Sequence, residues 1–114
     1  MKDQKFVYLV EKTWIDIGIE RVKMPPVVKG CFNTMDLATF FVGSQCGIIS
    51  SRNKKYDTRV SIDSDNFSQK EIDKNLVQAT IVTVCDKEDP NKIITQYQYN
   101  IYKHPFYTET VNIC

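Results

Sequence analysis

The fold is decided by two strand-like segments and the turn between them: Leu76–Cys85 (LVQATIVTVC), Asp86–Lys92 (DKEDPNK) and Ile93–Tyr102 (IITQYQYNIY). The first segment is rich in Val, Ile and Thr, the residue types that favour β-strands. The second alternates between two faces, one of which carries Ile93, Thr95, Tyr97, Tyr99 and Ile101. Because Asp, Pro and Asn separate the segments, they predict an antiparallel hairpin.

A further strand is expected near the start of the chain, from Lys5 to about Trp14. Both of its faces are apolar at the beginning, which indicates a central rather than an edge position. Asp16–Gly18 is typical of a turn. An irregular second strand follows, from Ile19 to about Val28, and Pro25-Pro26 interrupts it because proline cannot donate to a β-ladder.

The clearest helix signal begins at Asn33, which we expect to be the N-cap, with the charge of Asp36 near the positive helix end. One stripe at helical spacing contains Leu37, Ala38, Phe41, Val42 and Gln45. Gly43 weakens the last turn, and Gly47 is suited to close it. The sequence predicts a helix over about 34–45.

The segments between this helix and the hairpin are weaker in pattern. We expect a short strand at 48–51, a basic loop at 52–57 and a strand at 58–63. Ser68 and Glu71 have capping-box spacing and predict a helix over about 69–75. Pro105 is expected to end the last strand, which leaves residues 106–114 as a tail.

These elements predict an α+β fold over residues 1–114 as a single domain. The expected architecture is a single antiparallel sheet of about 4–6 strands, with both helices packed on one face.

Composition excludes several classes of protein. The chain has 114 residues, and its 15 Lys+Arg against 14 Asp+Glu give a net charge of +1. This near-zero charge removes the usual electrostatic argument for binding nucleic acid or an anionic membrane.

The first residues lack the apolar stretch of a secretory signal, and no stretch approaches the roughly 18 apolar residues of a membrane span. We therefore expect a cytoplasmic protein without membrane association.

Four widely spaced cysteines stand in the chain: Cys31, Cys46, Cys85 and Cys114. No C-x-x-C pair occurs, and disulfide frameworks are denser than this, so we expect free thiols in a reducing compartment.

The sequence carries no recognisable catalytic constellation. The phosphate-binding, nucleophile-elbow and zinc-protease motifs are absent, and His104 is the only histidine. Asp63, Asp65 and Asn66 resemble the start of a calcium loop, but Phe67 and Ser68 stand where an oxygen ligand and a glycine are needed. We expect no enzyme, no catalytic residue, no metal site and no cofactor. The enzyme alternative is a Cys nucleophile acting with His104.

One local basic group contains Arg52, Lys54, Lys55, Tyr56 and Arg59. A basic loop with an aromatic residue can hold a phosphate and stack a base. This group is the candidate site if the protein binds a nucleotide, another small molecule or nucleic acid.

The last strand and its tail carry a candidate protein-binding surface. If Tyr97 and Tyr99 face the core, the residues between them face solvent or a partner. The candidate partner-binding residues are Gln96, Gln98, Asn100, Tyr102, Phe106 and Tyr107. Tyr, Gln and Asn suit protein recognition because they combine contact area with hydrogen bonding.

Three short motifs carry a resemblance: Phe6–Val10 (FVYLV), Asp16–Gly18 (DIG) and Phe32–Ala38 (FNTMDLA) leading to Phe40-Phe41. Together they resemble small uncharacterised bacterial and phage α+β proteins in which a β-hairpin leads into a helix. The resemblance implies an accessory protein and assigns no functional residue. Small phage-borne proteins of this kind include inhibitors of host defence systems.

The sequence therefore predicts a non-enzymatic protein that inhibits or regulates a larger protein by occupying its surface, and the resemblance implies that a phage or mobile element encodes it. The alternatives are a small-molecule or nucleotide binder and a Cys-dependent enzyme. Oligomeric state stays open.

Overall fold

A computed structural model describes residues 5–17, 21–23 and 26–106 of the chain. Its elements are β1 (Lys5–Ile17), β2 (Arg21–Lys23), β3 (Val27–Phe32), α1 (Met35–Arg52), β4 (Asp57–Asp63), α2 (Gln69–Asp73), β5 (Leu76–Cys85) and β6 (Ile93–Phe106). Within these ranges, neither helix has the length and hydropathy needed to cross a bilayer.

The strands form one six-stranded sheet in the order β2-β1-β6-β5-β4, with β3 also paired to β1. Every pairing is antiparallel. The predicted α+β class and single antiparallel sheet are therefore confirmed. The interior position predicted for β1 is confirmed as well, because β6 pairs with it on one side and β2 and β3 on the other.

The β5–β6 hairpin forms as predicted, with Val82 opposite Tyr97 and Thr80 opposite Tyr99. Its turn is organised by the Asp86 carboxylate, which accepts hydrogen bonds from the backbone N–H groups of Glu88 at 2.8 Å and Asp89 at 3.2 Å. These two bonds hold the pKa of Asp86 below its ordinary value.

The expectation that Pro105 ends the last strand is wrong. β6 continues to Phe106, and Pro105 lies opposite Phe6 of β1. The register explains the tolerance: β5 begins at Leu76, opposite Tyr102, so beyond that point β1 is the one strand of the described ranges that pairs with β6. A proline is compatible with a strand whose N–H side is free.

Helix α1 begins one residue later than expected. Thr34 rather than Asn33 is the N-cap, and its hydroxyl accepts a hydrogen bond from the Leu37 N–H at 3.2 Å. Phe32, at the end of β3, packs its ring against Phe41 with 5.2 Å between centroids. This contact fixes the angle at which the chain enters the helix.

The predicted end of α1 near residue 45 is wrong, and so is the short strand at 48–51. The helix runs through Gly43 and Gly47 to Arg52. Each interior glycine costs about 1 kcal/mol of helix stability relative to alanine. Burial of Ile49 in the same core as Val42 offsets that cost, since tertiary packing supplies most helix stability in proteins.

The hydrophobic core lies between α1 and the sheet. Its buried residues are Val10, Ala38, Val42, Ile49, Val82, Val84, Tyr99 and Ile101. The predicted stripe is confirmed at Ala38 and Val42, but Leu37 is 51% exposed and points away from the core.

The connections differ from the sequence expectation in two places. The irregular second strand is two separate strands, β2 and β3, because the proline pair falls between them. The predicted turn at Asp16–Gly18 begins too early, since β1 extends through Ile17, and Gly18 lies outside the described residues.

Helix α2 is two residues shorter than predicted, but its capping box is present. The Glu71 N–H donates to the Ser68 hydroxyl at 3.3 Å, and the Ser68 N–H donates to the Glu71 carboxylate at 2.9 Å. The helix contacts β5 and buries none of its residues. Asn75 follows it with a positive φ of 68°, a conformation that asparagine tolerates better than most residues.

The expectation of four free thiols is wrong, because Cys31 takes part in a disulfide. Cys46 and Cys85 are free, whereas Cys31 is disulfide-bonded to a partner outside the described residues.

Candidate functional site

Helix α1 covers one face of the sheet, and we use the name open face for the opposite face, on which Val7, Thr13 and Asn100 are nevertheless buried. On β6 the two faces alternate: Tyr97 and Tyr99 point toward α1, and Tyr99 has no exposed surface. The intervening residues Gln96, Gln98, Asn100 and Tyr102 therefore share the open face, as predicted from the alternation. The structure brings these four side chains together. None of the four is fully exposed, and Asn100 is buried.

Side-chain hydrogen bonds link three of these residues in one direction along β6. Gln98 Nε2 donates to Asn100 Oδ1 at 3.0 Å, and Asn100 Nδ2 donates to the Tyr102 hydroxyl at 3.4 Å. That hydroxyl donates to Glu11 Oε1 on the neighbouring strand at 3.3 Å. All three hydrogen bonds run in the same direction, and the last acceptor is a carboxylate. The dipoles of these bonds therefore reinforce one another.

Gln96 has a separate partner, because its Nε2 donates to the Thr83 hydroxyl at 3.1 Å. Next to Gln98, Thr13 is 2% exposed and its hydroxyl has no hydrogen-bond partner within the described parts of the chain. The polar side chains of the open face are thus held in place by one another, which restricts their rotamers before any partner arrives.

The environment of Tyr102 favours its neutral form. Burial raises the pKa of Tyr102, and the nearby negative charge of Glu11 raises it further. At neutral pH the phenol therefore remains a hydrogen-bond donor. The His104 ring stacks next to it, with 6.3 Å between centroids and 27° between planes.

Two other predicted partner-binding residues follow Pro105 in the chain. Phe106 is the last residue of β6, opposite Lys5, and Tyr107 lies outside the described residues.

A groove of about 420 Å³ opens beside Tyr102. Its lining comes from β1, β3, β6, the end of α2 and the residues next to them: Leu9, Glu11, Pro26, Val28, Asp73, Lys74, Asn75, Tyr102 and His104. The apolar part of the wall suits an aliphatic or aromatic side chain. The carboxylates of Glu11 and Asp73 suit a hydrogen-bond donor or a cation at its end.

Sequence reasoning missed most of the groove. Glu11 follows the apolar run of β1, and this change in polarity was the one available signal. Its position next to Tyr102 depends on the register that places Glu11 opposite Asn100. Asn75 reaches the groove only because α2 and β5 are joined at that residue.

The basic group is not brought together into one pocket. The Arg59 guanidinium donates to the Pro90 carbonyl oxygen at 2.8 Å, and its register places it on the open face. Tyr56 packs against the core on the side of α1. Arg52 ends α1 on that same side. Its charge acts there on Lys12 of β1: burial lowers the pKa of Lys12, and the positive charges of Lys29 and then Arg52 lower that pKa further. Lys54 and Lys55 lie exposed in the turn after α1.

The free thiols and the histidine lie apart. Cys46 belongs to α1 and packs against the core, whereas His104 lines the groove on the open face. Burial raises the pKa of the Cys46 thiol, which opposes formation of the reactive thiolate.

The acidic segment after β4 forms a local turn. Asp63 Oδ1 accepts hydrogen bonds from the backbone N–H groups of Asp65 at 3.4 Å and Asn66 at 3.2 Å. Across the described ranges, no three His, Cys, Asp or Glu side chains are grouped closely enough to hold a metal ion.

With the fold and this surface defined, we compared the chain with known proteins. No protein-family model matches it, and neither a curated protein nor a solved structure matches it.

Proposed function

We propose that this chain is a non-enzymatic binding protein that inhibits or regulates a larger protein by occupying its surface with the open face. The observation that carries the proposal is the chain of hydrogen bonds from Gln98 through Asn100 and Tyr102 to Glu11. Polar side chains that are already fixed lose little conformational entropy when a partner binds, and this improves affinity.

The chemistry of the open face supports protein recognition. Tyrosine is enriched among the residues that dominate binding energy, since it combines a large apolar ring with one polar atom. The groove beside Tyr102 offers a concave site for one side chain of the partner. Further along β6, the amide groups of Gln96 and Gln98 add hydrogen-bonding capacity, as polar residues at the rims of protein interfaces do.

The resemblance to small phage and bacterial accessory proteins supports a more specific role. We propose an anti-defence-like inhibitor that is encoded by a phage or mobile element and acts in the cytoplasm. The Cys31 disulfide gives a direct test of the compartment, because cytosolic thiols are normally kept reduced. Alkylation of freshly lysed cells should label Cys31 if the protein resides in the cytoplasm. An intact disulfide would place it in an oxidising compartment.

The binding proposal is tested by affinity capture from lysate of the native or host cell, with three forms of the tagged protein. The wild type and a Lys54→Ala/Lys55→Ala control should retain the same stoichiometric protein. A Gln98→Ala/Tyr102→Ala variant should lose it while keeping a cooperative unfolding transition. Retention of the partner by the open-face variant would contradict the proposal.

The groove also favours a second candidate function, the binding of a small molecule. Its volume of about 420 Å³ lies in the range of ligand sites, roughly 300–1,000 Å³. In this case the site would be the groove rather than the dispersed basic group. Mass spectrometry of the purified protein under native conditions should then show a bound compound that is lost on Glu11→Gln substitution.

A further inference from the structure

Strand β4 forms one edge of the sheet. It pairs with β5 on one side, and no strand of the described ranges pairs with it on the other. Two apolar side chains lie open along this edge, since Ile62 is 64% exposed and Val60 is 47% exposed. Monomeric proteins usually protect such an edge with lysine, proline or a β-bulge, because an open edge pairs with other chains. Residues 57–63 contain none of these and keep an unbroken register with β5.

The register shows which backbone groups of β4 point outward. In an antiparallel sheet, the N–H and C=O groups of successive residues point alternately to the two neighbouring strands. The Lys103 N–H donates to the Asn75 carbonyl oxygen at 2.9 Å, which fixes this alternation along β6. Carried through the regular middle of the β5–β6 pairing and through the β4–β5 pairing, it directs the backbone of Ser61 toward β5. The N–H and C=O groups of Val60 and Ile62 therefore point out from the edge.

A second copy can pair antiparallel with this edge in more than one register, and side-chain charge distinguishes the registers. With a two-fold axis at Val60, Asp57 lies opposite Asp63 of the other copy, so like charges meet at both ends. With the axis one residue further along, at Ser61, Arg59 lies opposite Asp63 of the other copy at both ends. These two side chains are four positions apart on a regular strand, so they share one face of the sheet. Charge therefore favours the axis at Ser61.

The same axis matches the apolar side chains of the edge. It places Val60 opposite Ile62 of the other copy, and the symmetry repeats this pair on the other side of the axis. Both side chains lie on the side of the sheet that α1 covers, because Val60 is opposite the buried core residue Val82. Cross-strand pairs of apolar β-branched residues stabilise a sheet. Since the backbone groups of Val60 and Ile62 point outward, each pair also exchanges two N–H···O=C hydrogen bonds.

Arg59 and Asp63 keep hydrogen-bonding capacity for this pairing. The Arg59 side chain is exposed and uses one donor, Nη2, toward the Pro90 carbonyl oxygen, whereas a guanidinium has five N–H donors. Asp63 accepts the N–H groups of Asp65 and Asn66 through Oδ1, and its Oδ2 has no partner within the described ranges. The turn that these two bonds form ends β4, so the pairing stops at the charge pair.

We propose that a second copy of this chain pairs with the β4 edge, so that two β4 strands lie antiparallel about a two-fold axis at Ser61. The two sheets then become one continuous sheet. The contact is isologous, because the same edge supplies both members of every pair. This inference is independent of the proposed function: β5 separates β4 from β6, so the open-face residues of β6 stay accessible in both copies.

The test is sedimentation equilibrium over a range of protein concentrations, with circular dichroism to verify folding. The wild type should show a monomer–dimer equilibrium. Ile62→Thr keeps a β-branched side chain and removes apolar contact on both sides of the axis, so it should weaken the dimer by at least about tenfold. Ile72→Thr is the matched control, because Ile72 is 52% exposed on α2, and it should leave the equilibrium unchanged.

A charge exchange identifies the register. Arg59→Asp alone and Asp63→Arg alone each place like charges together at both ends, so each variant should be more monomeric than the wild type. Mixed in equal amounts they should form heterodimers, because both ends then pair Arg with Asp. In the purified wild-type background, a photoreactive side chain at position 60 should give a covalent dimer of this chain.

Three results would overturn the proposal. The first is a wild type that stays monomeric over the whole concentration range. The second is a dimer that Ile62→Thr leaves unchanged. The third is a mixture of the two charge variants that does not recover association.

Discussion

The Tyr99 hydroxyl offers a sharp test of how the core is built. The residue has no exposed surface, and its hydroxyl has no hydrogen-bond partner within the described parts of the chain. A buried polar group without a partner costs roughly 1–3 kcal/mol. Tyr99→Phe keeps the ring and removes the hydroxyl. We therefore expect this substitution to raise the free energy of unfolding by about 1 kcal/mol.

The same residue predicts a pH dependence. Burial raises the pKa of Tyr99 to about 12, and interactions with Cys46 and Tyr97 contribute in the same direction. In the unfolded chain a tyrosine titrates near pH 10. Between about pH 10 and pH 12 the unfolded state has lost this proton while the folded state retains it, so stability falls as the pH rises. The contribution is fully present below pH 10, and its loss amounts to roughly 2–3 kcal/mol.

Urea unfolding at about pH 8 and about pH 11.5 measures both effects. Other groups titrate in this range, so the informative quantity is the difference between the wild type and Tyr99→Phe. That difference should grow in favour of the variant at the higher pH. Tyr97→Phe, at the half-buried neighbour, is the matched control. The reasoning is refuted if Tyr99→Phe destabilises the protein at pH 8, or if the difference is the same at both pH values.

Three further predictions concern packing, capping and surface charge. Gly30→Ala would place a Cβ atom 2.6 Å from the Phe32 ring, so the ring must move. We expect the free energy of unfolding, measured in urea, to fall by about 1–2 kcal/mol. An unchanged urea midpoint would show that the ring is free to swing aside. Ser68→Ala removes the N-cap of α2, so hydrogen exchange at the Glu71 amide should become faster. The increase should correspond to a loss of about 1 kcal/mol in the local opening free energy. Unaltered exchange would mean that the capping box adds no stability. Arg59→Ala removes one exposed hydrogen bond and should change stability by less than about 0.5 kcal/mol. A nucleotide-dependent rise in Tm that occurs in the wild type and is lost in Arg59→Ala would instead favour the nucleotide alternative.

The fold was predictable where side-chain periodicity alone determines structure. Alternation along β6 assigned Tyr99 to the core and Gln98 to the opposite face, and the apolar start of β1 indicated its central position. These signals are local, because a strand that packs against a core has to bury one of its two faces. The register then follows from the hairpin, because a one-residue slip would turn Tyr99 outward.

The errors came from contacts that are distant in sequence. Gly43 and Gly47 are weak helix formers, yet α1 continues because Ile49 reaches the core of the sheet. Proline usually ends a strand, but β1 alone among the described strands pairs with this part of β6, and this makes Pro105 acceptable. In both cases tertiary structure outweighed a correct local preference.

The candidate site was predictable in part for the same reason. The shared face of Gln96, Gln98, Asn100 and Tyr102 follows from the two-residue period of a strand. The involvement of Glu11 required the pairing of β1 with β6, between residues that are 91 positions apart. The groove required in addition the position of α2, which periodicity does not determine.

The central claim is that the open face meets the partner, and site-specific photo-crosslinking tests it most directly. A photoreactive amino acid at Gln98 samples the open face, and one at Val60 samples the face on the side of α1. Val60 is 47% exposed and Gln98 is partly exposed, so a side chain at either position reaches the protein surface. The account predicts a cross-linked partner from position 98 and none from position 60. Cross-linking from position 60 alone would contradict it.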